Sequence, residues 1–218
     1  MKYQAVLFDF DYTLGDSTEP IVASYTAGLT AMGWSAPDRE AVRRTVGQTL
    51  QDGYSTLTGD GDEKRREEFF QRFKEFSMPI MAAQTVLCPG GTDVVLWLAE
   101  QGISAGIVST KGGDIIDDIF RRQHLRNKLA LIVGGQDVTK AKPDPEGLTL
   151  AMERLGVDKS AVLFCGDTVI DAETARRAGV DFCAVLNGTT PAEAFGDYPR
   201  VHIAPNLFDL LTWLNGLG

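Results

Sequence analysis

The strongest constraint on the fold is a series of short, almost wholly apolar segments that recur along the chain. The segments comprise residues 5–10, 103–109, 129–135, 160–166 and 180–186. Each has the length of a strand, and an unbroken apolar run is typical of a strand that is covered on both faces. We therefore interpret these segments as strands of a buried sheet.

Helical patterns separate the later strands. They occupy residues 92–102, 113–125, 145–156 and 171–179. Three of them end at Gly102, Gly156 or Gly179, and glycine commonly follows the last turn of a helix. Strands that alternate with such helices need crossover connections, which make a parallel sheet with helices on both faces. The sequence predicts a doubly wound, mainly parallel α/β core, whose ligand site lies at the carboxyl ends of the strands.

One long stretch interrupts this alternation directly after the first strand. Its helical patterns cover residues 19–34, 38–50 and 62–83, without a convincing strand. The alternation resumes after "CPGG", residues 88–91. We predict an inserted all-α cap domain at residues 16–84 and a core domain formed by residues 1–15 and 85–218. A cap inserted there is expected to act as a lid over the strand ends.

Charge and cysteine content exclude several classes of function. The formal net charge of −9 argues against binding to nucleic acid or to an anionic membrane. Cys88, Cys165 and Cys183 are odd in number and widely spaced, which supports neither a disulfide framework nor a zinc site. The sequence shows neither a signal peptide nor an apolar run near the roughly 18 residues of a membrane span. We expect a cytoplasmic protein.

Polar residues follow most of the predicted strands. They are Asp9 and Asp11 after the first strand, Ser109, Thr110 and Lys111 after the second, Lys142 in the third strand-to-helix connection, and Asp167 and Asp171 after the fourth. The carboxyl ends of parallel strands share one edge of a sheet, so these side chains are expected to converge. A group of carboxylates without neighbouring histidine or cysteine favours Mg²⁺ over zinc.

Four short motifs carry a resemblance to a known family. They are "DFDYTL" (9–14), "VSTK" (108–111), "AKPDP" (141–145) and "GDTVID" (166–171). In this order and spacing they resemble the four motifs of the haloacid dehalogenase-like hydrolases, specifically the phosphatases of the phosphoglycolate phosphatase type. The resemblance covers residues 5 to about 185 and implies a Rossmann-like core, a helical cap, a Mg²⁺ cofactor and a small phosphorylated metabolite as substrate.

The resemblance also implies roles for individual residues. Asp9 is the expected nucleophile, which forms an aspartyl-phosphate. Asp11 is expected to protonate the leaving group and then to activate water. Ser109 and the main chain of Thr110 are expected to bind the transferring phosphoryl group, and Lys142 to neutralise its charge while holding the nucleophile.

The remaining implied roles concern the metal and the cap. Asp9 and Asp167 are the expected Mg²⁺ ligands, joined by the main-chain carbonyl of Asp11 and by Asp171, which binds directly or through water. In the cap, Arg44 and Gly47 fall in "RRTVGQTL" (43–50), where related caps contact substrate, although a solvated helix face and a glycine turn explain them equally well.

Several functions remain open at this point. Dehalogenases of the family carry no aspartate at the position of Asp11, because a halide leaves without a proton, so Asp11 favours phosphate esters. A phosphosugar mutase of the β-phosphoglucomutase type and a pyrophosphatase use the same motifs. A phospho-aspartate signalling switch has a similar set of residues but is shorter and lacks the helical insertion. The sequence favours a phosphatase that is either a monomer or a homodimer.

Overall fold

The computed structural model describes residues 2–217, which divide into two compact units. One unit contains the chain up to Asp16 together with the chain from Leu87 onward, and the other is Ser17–Val86. Within the described residues, no helix is both long enough and apolar enough to span a bilayer.

The first unit is built on a six-stranded parallel sheet in the order β5-β4-β1-β6-β7-β8. In chain order the strands are β1 (Ala5–Phe8), β2 (Gly15–Asp16), β3 (Val86–Leu87), β4 (Ser104–Val108), β5 (Leu131–Val133), β6 (Val162–Gly166), β7 (Asp181–Val185) and β8 (His202–Ala204), of which β2 and β3 are not part of the six-stranded sheet. The predicted doubly wound, parallel α/β core is confirmed, and each of the five predicted strands is present. The edge strand β8 was not predicted, because its three residues, which begin with His202, are too few to form an apolar run.

The register of the central strands aligns the strand ends that carry polar residues. Phe8, the last residue of β1, pairs with Ile107 on one side and with Cys165 on the other. The residues that follow these strands therefore begin at the same level of the sheet. The strands β1 and β6 are completely buried, as expected for a sheet with helices on both faces.

Helices cover the sheet and form the second unit. The second unit contains α1 (Thr18–Ala31), α2 (Arg39–Arg43), α3 (Leu50–Thr58), α4 (Glu63–Ser77) and α5 (Met81–Gln84). The first unit contains α6 (Gly91–Glu100), α7 (Gly113–Arg122), α8 (Glu146–Leu155), α9 (Val169–Ala178) and α10 (Leu207–Asn215). On one face of the sheet, Leu148 of α8 and Ala172 of α9 join Leu7 and Phe182 in a buried apolar cluster. This cluster holds α8 and α9 against the sheet. The loops that precede these two helices lie at the carboxyl ends of the strands.

The second unit has an aromatic core of its own. Tyr25 of α1 packs its ring 5.1 Å from Phe69 and 5.2 Å from Phe73, both on α4. Tyr54 of α3 lies 5.3 Å from Phe69, measured between ring centroids. The helix α3 was not predicted, because the second predicted helical pattern ends at Leu50, the residue at which α3 begins.

Phe182 offers a test of the apolar cluster. Its side chain is buried between the rings of Phe164 and Phe195, at centroid distances of 6.4 and 6.0 Å. We expect Phe182→Ala to lower the free energy of unfolding by about 3–5 kcal/mol, because it removes buried apolar contacts and leaves a cavity. Urea unfolding followed by circular dichroism measures the change. Phe208→Ala, at an exposed position, is the control and should change it by less than about 0.5 kcal/mol.

Candidate active site

A tight loop after β1 presents the first two acids. The amide of Asp9 still donates to the carbonyl of Cys165 on β6, at 2.9 Å. The carbonyl of Phe10 then accepts hydrogen bonds from the amides of Thr13, Leu14 and Gly15. Tyr12 adopts the left-handed conformation with φ of 60°, which is uncommon for a residue other than glycine. Such local strain persists only where surrounding contacts hold it, and it concentrates at functional sites.

Three carboxylates from two strand ends form a buried cluster. Asp9 follows β1, Asp167 follows β6, and Asp171 lies in the first turn of α9. Each offers one oxygen, and these oxygens all lie within 4.8 Å of one another. All three side chains are buried. Carboxylates this close repel one another unless a cation or a proton lies among them.

Lys142 supplies part of that compensation. Its Nζ donates to Asp9 Oδ1 at 2.7 Å and to Asp171 Oδ1 at 2.5 Å. The other oxygen of Asp171 accepts from the amide and hydroxyl of Thr168, at 3.1 and 2.6 Å. Thr168 in turn caps α9 by accepting from the amide of Asp171. Asp171 thus both stabilises the start of α9 and belongs to the acidic cluster.

Asp167 is held by neighbours that the sequence analysis missed. The Thr13 hydroxyl donates to Asp167 Oδ1 at 3.3 Å, and the Asn187 side-chain amide donates to the carbonyl of Thr13 at 3.2 Å. Gly188 lies so near that a Cβ at this position would meet Asp167 Oδ2 at 1.9 Å. Asn187 and Gly188 follow β7, so the strand-end rule applied to the fifth predicted strand could have found them.

Asp11 has a lysine partner of its own. Lys111 Nζ lies 3.0 Å from both carboxylate oxygens of Asp11. The amide of Lys111 donates to Ser109 Oγ at 3.3 Å, so these two residues are joined within the loop that follows β4. Ser109 does not cap α7, because that helix begins at Gly113 and is preceded by Gly112. Thr110 presents its main-chain carbonyl toward Gly135, where a Cβ would approach it to 2.5 Å.

Burial and charge shift the protonation of the cluster. Burial raises the pKa of Asp9 to about 6, against the lowering effect of Lys142, and the charges of Asp171 and Asp11 add to the rise. Burial also raises the pKa of Asp167 well above its ordinary value, and the Asp171 and Asp9 carboxylates reinforce that shift. For Lys142, burial acts to lower the pKa, but the carboxylates of Asp171 and Asp9 outweigh it and raise the value. Lys142 therefore remains an ammonium ion.

The charges of the site fit a divalent cation. When ionised, the described carboxylates of Asp9, Asp11, Asp167 and Asp171 carry four negative charges, and Lys111 and Lys142 carry two positive charges. Two negative charges thus remain in a buried environment. The cluster consists of carboxylate oxygens, the ligand type preferred by hard cations such as Mg²⁺.

The two predicted cap residues lie in the other compact unit. Arg44 follows α2, and its side chain is exposed, with Nε 3.6 Å from Glu40 Oε1. Gly47 has a φ of 97°, a conformation that favours glycine in a turn. The structure brings Asp9, Asp167, Asp171 and Lys142 into direct proximity, whereas the roles predicted for Arg44 and Gly47 stay predictions.

Comparisons with known proteins agree with the architecture. The family model of the haloacid dehalogenase-like hydrolases matches residues 6–185. An N-acetylmuramic acid 6-phosphate phosphatase of Pseudomonas aeruginosa is 32% identical over 193 residues, which cover 86% of this chain and 84% of the relative. A phosphoglycolate phosphatase of Pseudomonas putida is 29% identical over 189 residues, which cover 84% of this chain and 69% of the relative.

Comparison with solved structures also indicates a haloacid dehalogenase-like hydrolase. A crystal structure from Bacteroides fragilis, described as a haloacid dehalogenase-like hydrolase, is 40% identical and superposes with a TM-score of 0.93. The superposition covers 96% of this chain and 100% of the other. The chain therefore belongs to the haloacid dehalogenase-like hydrolase family. Within that family it is a phosphatase, as the sequence analysis predicted.

Gly188 provides a steric test of the acidic cluster. A Cβ at this position would collide with Asp167, so Gly188→Ala must displace either the loop or the carboxylate. Displacements of about 1 Å at a reacting centre lower rates by about 100-fold, and we expect a loss of that order in kcat/KM. Phosphate release measures it. Gly216→Ala, whose Cβ meets its nearest atom at 3.4 Å, is the control and should retain full activity. Unchanged activity in Gly188→Ala would contradict the steric argument.

Asp167 provides a test through pH. Its pKa in the folded protein is raised, so folding takes up a proton and stability falls as pH rises above the unfolded value of about 3.9. In excess chelator, Asp167→Asn should therefore have a higher melting temperature than the wild type at pH 8, and the difference should shrink toward pH 4. Thermal unfolding measures both values. Asp197→Asn, at an exposed site, is the control. A wild type that is the more stable protein at pH 8 would contradict the prediction.

Proposed function

We propose that the protein is a Mg²⁺-dependent phosphatase that hydrolyses a small, phosphoglycolate-like phosphomonoester through an aspartyl-phosphate on Asp9. The observation that carries the proposal is the buried contact of Lys142 with Asp9 and Asp171, beside Asp167. This arrangement places a nucleophilic carboxylate next to a fixed positive charge and a set of hard oxygen ligands. Phosphoryl transfer depends mostly on such positioning and charge neutralisation.

The metal would be held by side chains on two neighbouring strand ends. Asp9 and Asp167 are the proposed side-chain ligands, with the main-chain carbonyl of Asp11. Both oxygens of Asp171 already accept hydrogen bonds, from Lys142 and from Thr168, which favours contact with the ion through water. When bound, Mg²⁺ supplies the positive charge that the cluster lacks and that a phosphoryl group requires.

In the first step, a carboxylate oxygen of Asp9 attacks phosphorus and the bond from phosphorus to the ester oxygen breaks. Asp11 enters this step as the protonated acid, and the leaving oxygen takes that proton and departs as an alcohol. Lys142 donates to one oxygen of Asp9, so the carboxylate is oriented before the substrate arrives. With a pKa of about 6, Asp9 is mostly ionised at neutral pH and is therefore ready to act as the nucleophile.

In the second step, water attacks the phosphorus of the aspartyl-phosphate and Asp11 takes up the proton of that water. The bond from phosphorus to Asp9 breaks, phosphate leaves, and both carboxyl groups return to their starting state. We propose that Ser109, which lies at the end of β4 and is nearly buried, donates a hydrogen bond to the phosphoryl oxygens in both steps. The main chain at Thr110 is proposed to assist it.

The names of the relatives suggest the chemical class of substrate. N-acetylmuramic acid 6-phosphate and phosphoglycolate are both phosphomonoesters that carry a carboxylate as well. We propose a substrate of this class for the present chain. Arg44, with an exposed guanidinium, and Gly47, in a tight turn, are the proposed substrate-contacting residues of the helical unit.

A substrate panel tests the proposed function. We expect phosphate release from 2-phosphoglycolate and N-acetylmuramic acid 6-phosphate in Mg²⁺, and none in excess chelator. N-acetylglucosamine 6-phosphate, which lacks the carboxylate, is the matched control substrate and should be hydrolysed more slowly. Asp9→Asn should abolish release, and Asp11→Asn should lower it by about 10²–10⁴, the usual contribution of a positioned acid or base.

Other outcomes would replace the proposal. Full activity in Asp9→Asn would remove Asp9 as the nucleophile. Slow hydrolysis that a sugar bisphosphate accelerates would favour a mutase, and preference for pyrophosphate would favour a pyrophosphatase. A stable phosphate on Asp9 without turnover would favour a signalling switch.

A further inference from the structure

Lys111 is a nearly buried lysine for which the mechanism above has no role. It lies between β4 and α7, two residues after Ser109. Its amide donates to Ser109 Oγ, and its carbonyl accepts from the amide of Gly135 at 3.0 Å, which belongs to the next strand-to-helix connection. The main chain of Lys111 is thus fixed from two directions, so its side chain starts from a defined point.

The side chain of Lys111 ends on Asp11. It is 7% exposed, and Nζ lies 3.0 Å from each of the two oxygens of Asp11. The same Nζ lies 5.7 Å from the centroid of the Phe10 ring. An ammonium ion in so dry a place must be compensated, and the Asp11 carboxylate provides the compensation. Contact with both oxygens also restricts rotation of the carboxyl group about its last bond.

Each of the two lysines of the site therefore holds a different reacting carboxylate. Lys142 contacts Asp9, the proposed nucleophile, and Lys111 contacts Asp11, the proposed acid and base. The main chain of Asp11 is fixed by a bridge to Gly15, but this leaves the side-chain torsions free. Proton transfer requires the carboxyl oxygen to lie about 2.6–3.2 Å from its partner, so these torsions must be controlled.

We propose that Lys111 is a positioning residue, which holds the carboxyl group of Asp11 in the orientation from which it exchanges protons with the leaving oxygen and with water. The two oxygens of Asp11 have different roles. One gives or takes the proton, while the other keeps the hydrogen bond from Lys111. The proposal rests on the proposed function and deepens it by adding a residue that acts only through Asp11.

This role predicts that the effect of removing Lys111 depends on the leaving group. An alkyl phosphate releases an alcohol, whose oxygen needs a proton as the bond breaks. A 4-nitrophenyl phosphate releases a stable phenolate, which leaves without one. A lysine that only supported the fold would affect both esters equally.

The experiment compares Lys111→Met with the wild type on 2-phosphoglycolate and on 4-nitrophenyl phosphate, in saturating Mg²⁺. We expect kcat/KM for 2-phosphoglycolate to fall by at least about 10-fold, a part of the full contribution of the acid. For 4-nitrophenyl phosphate, kcat/KM should stay within about 3-fold, and a burst of nitrophenolate should appear because water attack has become slow. Lys140→Met is the control, since Lys140 is exposed and lies 4.0 Å from its acidic neighbour Asp144.

Two further variants separate positioning from structure. Lys111→Arg keeps a cation at the site and should restore most of the activity on 2-phosphoglycolate. Lys111→Met added to Asp11→Asn should cause no further loss, because a residue that acts only through Asp11 has nothing left to position. This non-additivity is measured on the same two esters.

The results that would overturn the proposal are distinct from those that would overturn the proposed function. Equal losses on both esters, no loss on either, or a full additional loss in the Asp11→Asn background would each remove Lys111 as a positioning residue. If the wild type released no phosphate from either ester, the proposed function would fail, and the role of Lys111 would fail with it.

Discussion

The buried ion contacts of Lys142 hold the site together. The ammonium group joins Asp9, 133 positions away in the chain, to Asp171, which is 29 positions away. It thereby ties the end of β1 and the first turn of α9 to the connection between β5 and α8. Burying such a group is unfavourable in itself, and an apolar substitute of similar volume often gives equal or better stability. An arrangement of this kind in the core is therefore better explained by chemistry than by folding.

The sheet makes this contact possible. In a parallel sheet every strand ends at the same edge, so β1, β4 and β6 each deliver their following residues to one place. The apolar cluster around Phe182 fixes the helices on one face, and their starting points then fix the loops. The charged residues thus directly follow rigid strands. The carboxylates repel one another only at a few loop positions beside the strand ends.

Much of this could be predicted from the sequence, because the relevant signals are local. Unbroken apolar runs indicated the strands β1 and β6. Asp9 and Asp167 follow these runs directly, and this position indicated that they belong to the site. The edge strand β8 gave no such signal, since only Ala204 of its three residues is buried. Asn187 and Gly188 were missed for another reason. They directly follow a predicted strand, but the hydrogen bond from Asn187 to Thr13 and the close approach of Gly188 to Asp167 can be seen only in the folded chain.

The two lysines show the limit of sequence analysis most clearly. Lys111 and Lys142 both lie in strand-to-helix connections rich in polar residues, and nothing local tells which carboxylate each one meets. The family motif pointed to Lys142 but left Lys111 without a function. In the folded chain both are almost fully buried, and each is paired with a different acid of the same loop, Asp9 or Asp11. A buried lysine needs a partner, so the burial of Lys111 is itself the evidence that Asp11 is held in place.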